Sequence, residues 1–182
     1  MKHPELYLCL QDEAWPFEYT NHHRQIVRAI VIDDDGFFYF VRAVRNDSYG
    51  EATIIETAGG GVEAGETFHT AIRRELKEEL GAEVEVLCKI GVVEDYYNLI
   101  HRHNINNYYL CRAVSFGETH LMPDEIEQFH LSILKLSYDE ALLEYEKRST
   151  TKLGSLIANR ELPVLRYAKC ILDQHQRTTK SL

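Results

Sequence analysis

Three glutamates constrain this chain more than any other feature. Glu75, Glu78 and Glu79 stand at i, i+3 and i+4 in a stretch, Thr67 to Leu80, that reads as helix. Residues at those spacings are surface neighbours with Cβ atoms roughly 5–6 Å apart, so the three carboxylates share one patch. Like charges so placed destabilise a bare helix by roughly a few tenths of a kcal/mol per pair and raise one another's pKa. A divalent cation removes both problems. Mg²⁺ takes carboxylate, carbonyl and water oxygens at about 2.0–2.1 Å and is commonly shared between a few carboxylates and a substrate phosphate. The bland alternative is a solvated acidic face. Phe68, Ala71, Ile72, Leu76 and Leu80 recur at helical spacing and predict a buried stripe. Thr67 is placed to cap the helix, acidic Glu66 sits favourably beside its N-terminus, and Gly81 stops it.

The residues around the glutamates extend the pattern. Gly60, five residues, Glu66, seven residues, Arg74-Glu75-Leu76, one residue, Glu78-Glu79, one residue, Gly81 and the apolar Ala82 meet every fixed position of a box of 23 residues in a chain of 182. This run resembles the Nudix box, whose last position usually holds a larger aliphatic than Ala82. The resemblance implies an α/β (α+β) fold of the Nudix type, an α/β/α sandwich around a mixed β-sheet. It also implies Mg²⁺-dependent hydrolysis, with Mn²⁺ as a substitute, of the diphosphate linkage in a nucleoside diphosphate derivative. Carried over by position, Glu78 and Glu79 become metal ligands, Glu75 a ligand or base, and Arg74 the residue that orients a neighbouring glutamate. Gly59, just before the first box glycine, stands where relatives often give a backbone carbonyl to the metal. Many of those relatives have proline where this chain has Ala58. Some take a further carboxylate from a loop after the box, for which Glu125 and Glu127 are the candidates here. An exposed acidic loop is the alternative for both.

The segment Glu56-Thr57-Ala58-Gly59-Gly60-Gly61-Val62-Glu63 is similar to the approach to the box in ADP-ribose pyrophosphatases, which carry a glutamate at the position of Glu56. ADP-ribose or another nucleotide sugar is therefore the expected substrate. The proline those enzymes often carry some 15 residues beyond the box is absent, and Tyr96 and Tyr97 occupy that region. Dinucleoside-polyphosphate hydrolases can carry a tyrosine thereabouts, so Tyr97 keeps open a house-cleaning role on such molecules or on (d)NTPs. Arg102, on a loop near the site, is a candidate clamp for phosphate or carboxylate. A different class, a non-catalytic Nudix-fold nucleotide sensor, usually lacks box carboxylates that this chain keeps.

The remaining chain predicts mixed α and β structure. Leu6 to Leu10, Gln25 to Ile32, Phe37 to Val44, Thr53 to Ile55, Val84 to Tyr97, Asn104 to Ser115 and Ile133 to Leu136 read as strands. Asp33-Asp34-Asp35-Gly36 is a hairpin turn. Trp15-Pro16-Phe17 is an aromatic turn in an N-terminal extension, residues 1–24, that reads as a flap on the domain edge. His22-His23-Arg24 reads as exposed. Arg42 and Arg45 face phosphate or solvent. His101 and His103 share a face if both lie on a strand, but no third ligand suggests a transition metal. Gly59-Gly60-Gly61 reads as a turn. Ser137 opens C-terminal helices over residues 138–182, with a break near Gly154 and Pro163 starting the last.

A net charge of −9 argues against a broad basic face for nucleic acid, though not against a nucleotide substrate whose charge a metal would meet. No secretory signal and no run of some 18 apolar residues is read. The four cysteines are widely separated, without a C-x-x-C pair, which fits a reduced, cytoplasmic protein. A single domain over residues 1–182, a small-molecule nucleotide as partner and no membrane partner are expected. The N-terminal segment and last helix are plausible surfaces for a homodimer.

Overall fold

The computed structural model describes residues 3–121 and 130–180, with side chains to residue 175. Glu125 and Glu127 lie outside the described residues. The elements are β1 (Leu6–Leu10), β2 (His22–Ile32), β3 (Phe38–Asp47), β4 (Gly50–Glu56), β5 (Ala58–Gly61), α1 (Phe68–Leu80), β6 (Ala82–Tyr97), a 3₁₀ turn (Asn98–Ile100), β7 (Arg102–Phe116), β8 (Ser132–Leu136), α2 (Tyr138–Arg148) and α3 (Lys152–Lys180). The strands form one sheet in the order β1-β6-β7-β2-β3-β4, with β5 added to β2 and β8 to β3. β1 runs parallel to β6 and β2 parallel to β7, while β6 and β7 are antiparallel, so the sheet is mixed.

Alternation along β2 sets the layers. Val27, Ala29 and Val31 face α1, where Ala71, Ile72, Leu76 and Leu80 are buried against them. Ile30 and Ile32 face the other way, into a core with Tyr108, Leu110, Ala141 and Tyr145 of α2, and Leu153, Ile157, Val164 and Leu165 of α3. The result is an α/β/α sandwich. Thr67 caps α1 by accepting from the Thr70 amide at 3.1 Å, and Gly81 closes it in left-handed geometry, φ 63°. Ser137 and Glu140 form a reciprocal capping box on α2. Among the described residues no helix is long and apolar enough to cross a membrane.

Three local expectations need correction. Gly59-Gly60-Gly61 is not a turn but most of β5, pairing antiparallel with Ile26 to Ala29. β3 meets β2 only at Val31 and Ile32, which leaves the rest of that β2 edge open for β5. The last helix does not break. α3 runs through both Gly154 and Pro163. A Cβ on Gly154 would lie 1.9 Å from the Arg148 carbonyl oxygen, so the glycine lets α3 start tightly against the end of α2. Pro163 forfeits one helix hydrogen bond, but buried Val164, Leu165 and Ala168 hold the following turn in place. Finally, His101 and His103 do not share a strand face. His101 closes the 3₁₀ turn at φ 52° and stacks on Tyr19, 4.0 Å between ring centroids. His103 instead meets His23, Nδ1 to Nδ1 at 3.1 Å, and Glu94 at 2.9 Å.

β5 carries a direct test. Gly59 has φ 146°, and a Cβ there would sit 2.1 Å from the Val27 carbonyl oxygen. Gly59→Ala is expected to lose roughly 2–4 kcal/mol of stability in urea denaturation, combining strained φ with a backbone clash. A loss below about 0.5 kcal/mol, the range of an ordinary surface change, would mean that β5 does not pack on β2 this closely.

Candidate active site

Arg74 is the hub of the carboxylate face of α1. Its Nε and Nη2 donate to the two oxygens of Glu66, each at 3.0 Å, a bidentate fork that ties the loop before the helix to the helix itself. Its Nη1 donates to Glu75 at 2.7 Å and Glu78 at 3.2 Å, and its Nη2 also reaches the Gly61 carbonyl at 3.1 Å. The Glu66 hydrogen bond, followed by Glu75, raises the Arg74 pKa against the opposing effect of burial. Glu79 points elsewhere. Its Oε2 accepts from the Gly59 amide at 2.8 Å, so α1 and β5 are joined at the residue on which the carbonyl expectation rests. A Cβ on Gly60 would meet the Glu75 carboxylate at 2.5–2.6 Å, so only a bare backbone lets that carboxylate lie against β5.

The donor set suits a hard divalent cation: three carboxylates and backbone oxygen, with no sulfur or imidazole among them. As placed, no three His, Cys, Asp or Glu side chains converge among the described residues. In this arrangement the Arg74 guanidinium is the counter-charge of Glu75 and Glu78, and Glu79 is turned to the Gly59 amide. Beside Glu79 lies a shallow groove of about 250 Å³ with a largely aliphatic wall of Val41, Leu121, Leu131 and Ile133.

A second cavity, of about 180 Å³, opens on the α3 side of β2. It is lined by Arg24, Arg28, Arg45, Arg102 and Arg160, with Tyr49, Glu56, Tyr97 and Asn104 among them. The alternation that buries Ile30 brings Arg24, Ile26 and Arg28 to this face, and the parallel register sets Arg24 beside Asn104 and Ile26 beside Asn106. Arg28 is fixed by Asn106 at 3.1 Å, the Thr57 carbonyl at 3.0 Å and Glu56 at 3.5 Å. Arg160, 1% exposed, donates to Glu56 at 2.6 Å, Tyr97 at 2.9 Å, and Asp95 and Glu161 each at 3.0 Å. Tyr108 closes the network with a 2.9 Å bond to Glu161.

Burial alone would raise the Glu56 carboxyl. The guanidiniums of Arg28 and Arg160, the Arg160 hydrogen bond and then Arg45 outweigh it and hold Glu56 down to about 2, from 4.5. A carboxylate depressed by folding stabilises the native state above its unfolded pKa and loses that contribution as pH falls through the folded value. Glu56 should therefore contribute on the order of 3 kcal/mol at neutral pH, lost between pH 4.5 and about 2. Urea titrations across that window should show a steep fall in the wild type and a shallower one in Glu56→Gln. Equal slopes would remove Glu56 as the source.

The residues expected from sequence thus fall into two groups on either side of β5. Arg74, Glu75, Glu78, Glu79 and Gly59 are on the α1 side, while Glu56, Tyr97 and Arg102 line the arginine cavity. Tyr96 lies apart, stacked on His103 at 4.5 Å. His22-His23-Arg24 is not uniformly exposed: Arg24 is half-buried and lines the cavity. Sequence reasoning missed Arg24, Arg28 and Arg160. Two arginines four residues apart share one face of an otherwise apolar strand and signal a polar stretch there, a signal available for Arg24 and Arg28. Nothing comparable marks Arg160.

A family model described as NUDIX domain matches residues 22–153. No functionally curated protein matches the sequence. Among solved structures, a NUDIX hydrolase from Nitrosomonas europaea aligns with TM-score 0.58 at 19% identity, covering 84% of this chain and 88% of that one. A MutT NUDIX hydrolase from Burkholderia pseudomallei aligns with TM-score 0.53 at 21% identity, covering 65% of this chain and 86% of that one. A UDP-X diphosphatase aligns with TM-score 0.52 at 18% identity, over 84% of this chain and 64% of that one. At these identities the structural likenesses speak to the fold.

Proposed function

The chain belongs to the NUDIX family, and from that premise we propose that it is a Mg²⁺-dependent pyrophosphohydrolase of a nucleoside diphosphate derivative, ADP-ribose or another nucleotide sugar. The observation that carries this reading is the adjacency of the two groups across β5. The Glu75 carboxylate lies against Gly60, and the Arg24 guanidinium lies over Gly61, 2.6 Å from where a Cβ would be. A diphosphate spanning those two glycines meets carboxylates able to hold a cation on one side and guanidiniums on the other.

Glu75, Glu78, Glu79 and the Gly59 carbonyl would hold the ion. Bound Mg²⁺ or Mn²⁺ supplies charge neutralisation of the phosphates and lowers the pKa of water. The chain's own residues do the positioning. Arg74 ties Glu66, Glu75 and Glu78 into one unit and the Gly59 amide holds Glu79, so each carboxylate is anchored beside β5, and a bound cation would draw the three together. Glu56, held ionised, keeps Arg28 and Arg160 from collapsing into the cavity.

The test is a product-resolved turnover screen with Mg²⁺, and separately Mn²⁺, over ADP-ribose, other nucleotide sugars, dinucleoside polyphosphates and dNTPs. Release of AMP and ribose 5-phosphate from ADP-ribose, faster than turnover of the other classes, is the expected result. Preference for dNTPs or dinucleoside polyphosphates would replace the substrate. Absence of any metal-dependent turnover would replace the hydrolase with a nucleotide-binding module.

A further inference from the structure

Two of the arginines in the cavity form no salt bridge with a carboxylate. Arg45 is paired with Asp47, Arg28 with Glu56, and Arg160 with Glu56, Asp95 and Glu161. Among the described residues the side chains of Arg24 and Arg102 are in no hydrogen bond or salt bridge, although their backbones pair within the sheet. The Nε of Arg102 is shut off from solvent without a partner, and so are Asn104 Oδ1 and Tyr49 Oη, all at the same cavity. Asn104 is 4% exposed. Burial and the neighbouring charges of Arg102 and Arg28 make the Arg24 cation costly, with Glu75 opposing them more weakly. A chain that leaves two guanidiniums and two further polar atoms, Asn104 Oδ1 and Tyr49 Oη, unsatisfied around one small space is arranged for something that satisfies them.

The size and lining say what. About 180 Å³ is below the roughly 300–1,000 Å³ of pockets that enclose a drug-sized molecule, so a fragment fits and a whole nucleotide does not. The aromatic rings are engaged: Tyr49 by Arg45, Trp15 and Tyr97, and Tyr97 is 7% exposed. A base finds no platform here. Guanidiniums with unused donors match phosphate oxygens, while Asn104 Oδ1 accepts, and Tyr49 Oη accepts or donates, as sugar hydroxyls require.

Resting on the hydrolase reading above, we propose that this cavity is the subsite for the phosphorylated sugar half of the substrate, with Arg24 and Arg102 on its phosphate and Asn104 and Tyr49 on its hydroxyls. The nucleoside half is thereby directed out of the cavity, across β5. Arg24 and Arg102 determine specificity for a sugar phosphate and belong to binding, not to the stability of the fold.

Calorimetric titration in EDTA separates this subsite from the hydrolytic step. Ribose 5-phosphate should bind the wild-type protein. Inorganic phosphate should bind more weakly, AMP at least tenfold more weakly, and ribose not at all. Arg24→Met and Arg102→Met should each weaken ribose 5-phosphate at least tenfold, yet melt at or above the wild-type temperature, because each removes an uncompensated cation. AMP binding as tightly as ribose 5-phosphate, no binding of any of the four probes at millimolar concentration, or wild-type affinity in both variants would overturn the subsite. So would a lower melting temperature in both, which would make the arginines structural. Binding of ribose 5-phosphate without metal-dependent turnover of ADP-ribose would reject the hydrolase and keep the subsite. Turnover with KM unchanged in both variants would do the reverse.

Discussion

Turnover by Glu79→Gln is expected to fall about 10³-fold or more, some 4 kcal/mol of transition-state stabilisation, while the protein stays folded. The contrast between the two readouts comes from what Glu79 touches. Its Oε2 accepts from the Gly59 amide at 2.8 Å. Glutamine keeps an acceptor of the same reach, so the junction between α1 and β5 survives. What disappears is the charge, and with it a ligand of the proposed cation. Glu75 and Glu78 are already compensated by Arg74, which makes Glu79 the carboxylate of the three whose charge that guanidinium does not meet directly. The same substitution thins a patch of like charges, so the melting temperature without metal should be unchanged or higher. A second readout does not need turnover: Mg²⁺ at millimolar concentration should raise the melting temperature of the wild type and not of the variant. Activity within tenfold of wild type, or an equal Mg²⁺ shift in both proteins, would remove Glu79 from the site.

The two halves of the site were legible to different depths, for a physical reason. The carboxylate face is local. Glu66, Arg74, Glu75, Glu78 and Glu79 lie on one loop and one helix, so spacing along the chain is spacing in space. The orienting role of Arg74 is implied by the resemblance, and its bond to Glu78 at i+4 is the part that the helical repeat supplies. The arginine cavity is not local. Arg160 and Glu56 are 104 residues apart in sequence and meet only because α3 crosses the end of β4. Arg24 and Asn104 meet only through the parallel register of β2 with β7. Sequence could mark Glu56 and Arg102 singly, but neither could be given its partners. The same distinction explains the glycines. Gly59 to Gly61 carry local signals of a turn, and the pairing with β2 that makes them a strand is a tertiary fact. Gly154 and Pro163 likewise signal a break, which the buried face of α3 overrides. The strands other than β5, and α1, where periodicity and burial agree, fell close to their expected bounds.

Arg160→Met is expected to cost about 3–5 kcal/mol of folding stability in urea denaturation. The magnitude follows from what is left behind. Glu161 is 0% and Asp95 5% exposed, and without Arg160 both buried carboxyl groups lose their guanidinium partner. Tyr108 still donates to Glu161, and Asn106 to Asp95 at 2.9 Å, but neither brings a counter-charge. Glu56 would retain Arg28, at 3.5 Å in place of the 2.6 Å contact with Arg160, and the weaker influence of Arg45. Methionine fills much of the volume, so a cavity term does not account for the loss. Adding Glu161→Gln to the variant should recover part of it, because one of the stranded charges goes. Arg102→Met in the same cavity is expected to move stability the other way. If both substitutions destabilise alike, the arginines form one structural network and the cavity is not built around a ligand. If Arg160→Met is tolerated within about 1 kcal/mol, the buried charges have partners or protons that this arrangement does not supply. Opposite signs would divide the cluster into arginines that hold the cavity open and arginines held open for something else.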